Sequence, residues 1–185
     1  MKIALVIALI AALAPAPNPR TIPLIDQQGR PFALADLRGA PVVVTFTATR
    51  CRDACPLVNA AFSRLQGDLA RAHLRATLVT VTLDPTYDTP AIMARSARAY
   101  QADARRWRLA SGRPADVQHL IQAFGVRVEP DEHGIPDVHT TFVYVLDPTQ
   151  RSGRTLLAST ALSAEVLPLV ATMTRAREAT NAMIR

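Results

Sequence analysis

The residues best equipped for chemistry are two cysteines in the run Cys51-Arg52-Asp53-Ala54-Cys55-Pro56, and the chain has no others. A thiolate is both a nucleophile and a soft metal ligand. Two of them this close, at the start of a helix, can converge on one metal ion or close a disulfide. The free N–H groups and partial positive charge of a helix N-terminus favour the thiolate. Three chemistries therefore stand side by side: metal binding, thiol–disulfide exchange and a structural crosslink. A bridge between these two positions closes a very small loop and constrains the unfolded chain little. That makes a metal or redox device a better reading than a staple. The spacing is C-x-x-x-C, whereas ordinary thioredoxins use C-x-x-C.

The other potential ligands are four histidines. His73 closes a helix and reads as solvent-facing or as a C-terminal cap. His119 sits inside a helix and reads as a surface residue. His133 lies in the polar run Glu129-Pro130-Asp131-Glu132-His133-Gly134 and reads as solvated. His139 is different, because it stands directly before the apolar strand TTFVYVLD.

The elements that must position these residues alternate. Ile22–Ile25 and Pro31–Leu34 read as a hairpin around Gln28-Gly29. Pro41–Ala48 is apolar and β-branched, the pattern of a strand buried on both faces. Leu57–Ala72 has helical spacing, with Pro56 in the position of a first-turn proline. A strand at Ala76–Asp84, a helix at Ala91–Gln101, a strand at Trp107–Ala110 and a helix at Pro114–Phe124 follow. Thr140–Asp147 and Arg154–Ser159 pair across a turn, and the last helix spans Ser163–Ala179. Such alternation implies an α/β sheet with crossover helices. Active sites of open α/β sheets lie beyond the carboxyl ends of the strands, where Cys51 and Cys55 fall. Asp84 and Asp88 read as caps of the turn and of the helix near Ala91, since aspartate accepts backbone N–H bonds in such places. For Asp84, support of a ligand residue is the alternative.

The chain has 185 residues, 49% of them hydrophobic and 19% charged, which suits one packed domain and excludes a disordered chain. The net charge is +6. It comes almost wholly from scattered arginines, Lys2 being the only lysine. With no basic stripe interleaved with aromatics, nucleic-acid binding is not expected. Lys2 followed by the apolar run Ile3–Ala14 has the form of a secretory signal, and the run is too short to span a bilayer as an ordinary helix. Residues 1–16 are thus expected to be a signal peptide with an uncertain cut. Residues 17–21 are expected to be a proline-rich linker and 22–185 the folded domain. Export, to the periplasm or beyond, places the thiols where they can be oxidised. Membrane attachment then depends on whether the N-terminus is retained.

Three segments together resemble the SCO/SenC family of copper proteins: TFTATRCRDACP (45–56), VTLDPTYDTP (81–90) and DVHTTFVYVLDP (137–148). The resemblance covers roughly Ile22 to Ala179, with the motifs in the family's order. It implies a thioredoxin-like fold: a central mixed sheet flanked by helices, with an N-terminal hairpin extension. It also implies one copper ion, Cu(I) or Cu(II), held by Cys51, Cys55 and His139. The implied role is that of a metallochaperone on the outer face of a membrane, assembling the copper centre of cytochrome c oxidase. The implied partners are the copper-bearing oxidase subunit or another copper chaperone. Two soft thiolates and an imidazole suit copper. The alternative is an enzyme, a thiol–disulfide oxidoreductase that keeps a target's cysteines reduced, with Cys51 and Cys55 as its redox pair. Arg52 departs from the family, which commonly has proline after the first cysteine. A guanidinium there can lower a thiol pKa or repel a cationic metal.

Overall fold

The computed structural model of the protein describes residues 18–183, apart from 138–140 and 152. The β-branched runs form its centre. β1 (Leu24–Asp26) and β2 (Pro31–Phe32) make the N-terminal hairpin. β3 (Val42–Thr47), β4 (Thr77–Thr82) and β5 (Trp107–Ser111) pair in parallel. Parallel neighbours need crossovers, and α1 (Ala54–Arg71) and α2 (Pro90–Ala99) supply them. α3 (Pro114–Ala123) follows β5 and leads into a small separate ladder of β6 (Glu129–Pro130) and β7 (Pro136–Asp137). β8 (Phe142–Leu146) lies antiparallel to β3, β9 (Gly153–Leu157) antiparallel to β8, and α4 (Leu162–Met183) closes the chain. The main sheet has the order β2-β1-β5-β4-β3-β8-β9, with β1 antiparallel to β5. The crossover helices are those the alternation predicts, and the mixed sheet with its N-terminal hairpin is the one the family resemblance implies.

Two apolar layers sandwich the sheet. Alternate strand residues point to opposite faces. Val43, Leu78, Trp107 and Val145 meet α1, α2 and α4 through Phe62, Leu65, Met93 and Val166. Val42, Val44, Phe46 and Val81 face the hairpin, the helical turn Leu34–Leu37 after it and α3 through Leu24, Leu34, Val117 and Leu120. All six residues of β3 are buried, as its composition predicts.

Two boundaries differ from the sequence reading in ways that matter. α1 begins at Ala54, three residues early, so Cys55 belongs to its first turn. Pro56 does not prevent this, because the first-turn N–H groups of a helix have no intrahelical partner to lose. The run 129–137 folds back on itself as β6 and β7, whose residues pair Glu129 with Asp137 and Pro130 with Pro136. Two-residue strands that each contain proline carry no strand signal.

The hairpin is held to β5 by a side chain. Gln27 is buried, its Nε2 donates to the Trp107 carbonyl at 2.9 Å, and its Oε1 accepts from the Leu109 N–H at 3.0 Å. It takes over the ladder's bonds where β1 turns away. Trp107 is itself fixed, with Nε1 donating to Thr80 Oγ1 at 2.9 Å. Gln27→Ala therefore strands a buried carbonyl and a buried N–H. A loss of about 1–3 kcal/mol in unfolding free energy is expected, read from urea denaturation.

Candidate metal centre

β3 ends at Thr47, and α1 starts at Ala54, so the intervening loop must turn sharply at the carboxyl end of the sheet. Two backbone groups shape it. The Cys51 N–H donates to the Ala48 carbonyl at 3.3 Å, and the Ala48 N–H donates to Cys55 Sγ at 3.4 Å. The second bond aims a backbone donor at the buried sulfur. Cys55 lies in the first turn of α1, where the backbone N–H groups have no intrahelical partner. Both cysteines are buried, Cys51 at 8% exposure and Cys55 at 1%. Only Cys51 lines the cleft of about 890 Å³ that opens at this end, together with Arg50, Arg52, Asp53, Tyr87 and His133. Both cysteines belong to the buried cluster that holds Phe46 and Leu83, and Cys55 does not reach the cleft.

The loop is pinned by two aspartates, and neither acts chiefly as the cap expected from its place in the sequence. Asp88 is wholly buried. Its Oδ2 accepts the Thr49 N–H at 3.1 Å and the Thr82 hydroxyl at 2.5 Å, and its Oδ1 takes the Thr49 hydroxyl in a short bond. Burial pushes its carboxyl above the usual range, and these three donors pull the other way. Asp84 does accept the Tyr87 N–H at 3.4 Å, as a turn cap would. Its main partner is Arg50, whose Nε and Nη2 both reach Asp84 Oδ2, at 3.0 and 2.5 Å. The Arg50 guanidinium also lies over the Tyr87 ring, 4.4 Å from its centroid. The cap of α2 is Thr89, whose hydroxyl accepts from the Ile92 N–H. Thus β4 and the turn after it grip Thr49 and Arg50, the two residues before Cys51. The Asp84–Asp88 spacing was the visible signal, but their partners 34 and 39 residues away were not.

The histidines separate clearly. His73 follows the end of α1 with a positive φ of 53° and is exposed, and His119 is exposed on α3. His133 is solvated, as its polar run predicts, with a side-chain exposure of 72% and a Glu132 carboxylate 3.6 Å away. It nonetheless stands on the lip of the cleft that Cys51 lines. Asp131 holds that lip in shape by accepting the His133 and Ile135 N–H groups, each at 2.8 Å. Those bonds keep the Asp131 carboxyl below its ordinary range, the Ile135 bond foremost. His139 lies outside the described residues. The strand it precedes starts at the cysteine end. Val143 pairs with Thr45 near the end of β3, and the Thr45 hydroxyl donates to the Phe142 carbonyl at 3.0 Å.

Comparison with known proteins adds to this geometry. The SCO1/SenC family pattern matches residues 19–174. A candidate copper-binding protein of Stutzerimonas stutzeri is 32% identical over 118 residues, which is 62% of this chain and 56% of that one. A SCO1 homologue of Bacillus subtilis is 22% identical over 66% of this chain and 65% of its own length. The chain thus spans less than two thirds of the curated relatives it matches. Among solved structures, copper-bound ScoI of Bradyrhizobium japonicum superposes with a TM-score of 0.67 at 23% identity, over 78% of this chain and 94% of that one. BsSco, a member of the Sco family of cytochrome c oxidase assembly proteins, gives 0.74 at 18% identity, over 83% and 91%. At these identities the two structures show a common fold.

The Asp88 clamp yields a graded test. Asp88→Ala removes the acceptor of one N–H and two hydroxyls, costing about 1–3 kcal/mol of unfolding free energy. It also frees the Cys51 loop, so alkylation of Cys51 by a thiol reagent speeds up. Asp88→Asn keeps the shape and one oxygen acceptor, and costs less. A carboxyl whose folded pKa is raised loses stability as pH rises through it. The Asp88→Asn protein therefore gains on the wild type between acid and neutral pH, measured by urea unfolding across that range.

Proposed function

The chain belongs to the SCO1/SenC family, and on that premise we propose that it is an exported copper-binding protein that delivers copper for assembly of the copper centre of cytochrome c oxidase. The observation that carries the reading is the cysteine loop itself. Two buried thiols, one of them receiving a backbone N–H, stand at the carboxyl end of the central strand with a cleft open beside the first. Cys51 and Cys55 are the thiolate ligands in this reading and His139 the imidazole ligand. The start of β8 at the same end of the sheet supports His139. The copper-related names of the relatives and the copper bound in a structural neighbour support the cargo.

The donor types fit that cargo. Thiolate sulfur selects copper(I), and imidazole accepts either oxidation state. Loading displaces the thiol protons, so affinity rises with pH. Joining the sulfurs in a disulfide removes two electrons, two protons and both soft ligands at once, which gives the site an off state. Cys51 faces the cleft and can hand the ion to an incoming ligand, while Cys55 is held from behind by Ala48. Export rests on Lys2 and the apolar run Ile3–Ala14. Among the described residues no helix is long and apolar enough to cross a membrane.

The same asymmetry between the cysteines favours one competing reading, a thiol–disulfide oxidoreductase. Cys51, on the cleft side, would attack a target disulfide and Cys55, away from the cleft, would resolve the mixed disulfide. His139 distinguishes the two. The reduced protein is expected to bind one copper(I), and its oxidised form none. Cys51→Ser and Cys55→Ser each lose most of the affinity, and His139→Ala weakens copper(II) binding most while leaving exchange with a small dithiol nearly unchanged. Anaerobic metal titration and a stopped-flow exchange assay read these outcomes. Unchanged affinity for both copper states in His139→Ala, together with crippled exchange with a protein disulfide, replaces the copper reading with the oxidoreductase.

A further inference from the structure

The end of the sheet opposite the cysteines carries a second hollow, of about 810 Å³, walled by Arg20, Arg38, Arg151 and Arg177. The topology puts it there. Arg38 and Gly39 precede β3, and residues 148–151 follow β8, whose last residue Leu146 pairs with Val42 at the start of β3. Among the described residues no carboxylate lines this hollow, and none of the four arginines is in an ion pair. Asp36 and Glu178 line the adjoining hollow, which shares Arg38 and Arg177 with this one. Arg20 Nε is buried and lacks an acceptor.

The walls are built, not incidental. Gly39 has φ of 107°, and a Cβ there would stand 3.2 Å from Arg177 Nη1, so the absent side chain leaves room for that guanidinium. The Gly39 N–H donates to the Pro148 carbonyl at 2.9 Å, which ties one wall to the next. Gln150 is fully buried and donates to the Leu34 carbonyl, fixing the turn that carries Arg151. Four like charges around one concavity raise its potential and attract an anion. Guanidinium groups match phosphate in shape and hydrogen bonding.

The position in the chain selects the source of phosphate. Asn18 lines the same hollow, and only Pro15-Ala16-Pro17 separate it from the end of the apolar run Ile3–Ala14. A chain that short reaches at most about 14 Å. Where that run is retained after export, an apolar segment and a cationic patch close together in the chain are the two signals that together hold a protein on a membrane. The hollow also has no aromatic lining on which bases could stack. We propose that the arginine hollow binds the phosphate groups of anionic phospholipids and seats this end of the domain on a membrane, with the cysteine end turned away from it. The proposal does not depend on copper.

The test floats the full-length chain with vesicles of phosphatidylcholine alone or of phosphatidylcholine with phosphatidylglycerol. The wild type is expected to bind the mixed vesicles more tightly than the neutral ones, and less so as salt rises. Arg38→Gln/Arg177→Gln is expected to cut that excess about thirtyfold, from roughly fivefold for each charge near an anionic surface. Arg113→Gln/Arg127→Gln, which removes equal charge outside the hollow, is expected to keep it. Copper(I) stoichiometry in Arg38→Gln/Arg177→Gln stays that of the wild type, so failure here and failure of the copper reading are separately visible. Equal binding to both vesicles, equal loss in the two double variants, abolition of the excess by millimolar inorganic phosphate, or preference for duplex DNA over the mixed vesicles each overturns the proposal.

Discussion

A carboxylate sealed from water holds the cysteine loop in place. Asp88 sits on the turn after β4, yet its oxygens serve Thr49 across the parallel strand boundary and Thr82 on its own strand. A buried carboxylate is tolerable only when its lone pairs are used, and here the donors come from the segment that carries the thiols. The cost of burial is thus converted into a fixed position for the loop. Arg50 and Asp84 repeat the connection nearer the solvent, in a pair where the aspartate is mostly covered and the arginine is partly open. Exposed pairs contribute little on their own. This one gains from the Tyr87 ring beneath the guanidinium and from the second nitrogen reaching the same oxygen.

The sheet gives the molecule two unlike ends. The parallel strands β3, β4 and β5 send their carboxyl ends to one side, where the thiols, the helix N-terminus and the cleft gather. Their amino ends, with the turn after β8, gather arginines at the other. Arg75, Arg105 and Arg106 extend the charge beyond the hollow, around the starts of β4 and β5. The separation has a simple electrostatic logic. A site that takes up a cation works better away from a concentration of positive charge, and interactions across a domain are largely screened at physiological salt. Arg50 and Arg52 are the exceptions, since both line the cleft beside Cys51, and of the two Arg50 is paired with Asp84.

Much of this was legible in the residues. The β-branched run at 42–47 could bury itself only in a sheet covered on both faces, so its place at the centre followed from composition. The alternation of strands and helices required crossovers, and the crossovers required parallel neighbours. The cysteine spacing, the aspartate motif and the histidine before an apolar strand together pointed to the family that the whole-chain comparison supports. The ladder at 129–137 was not legible, because two prolines and a turn of polar residues carry no periodicity.

The sequence by itself determined the elements, their order and the identity of the thiols, because hydrophobic period and local turn chemistry are properties of neighbouring residues. Only the tertiary structure decided what those residues face. Asp88 looks like a cap until β3 and β4 are paired, and then two of its three donors prove to belong to Thr49, 39 residues away. His133 reads as a solvated loop residue and remains one, yet folding brings it to the lip of the Cys51 cleft. Arg20, Arg38, Arg151 and Arg177 are scattered along the chain; the antiparallel β8 returns its far end to the start of β3 and so brings Arg151 to Arg38, while α4 adds Arg177 and the segment before β1 adds Arg20. Convergence of distant groups depends on strand order and direction, and no local window of sequence contains either.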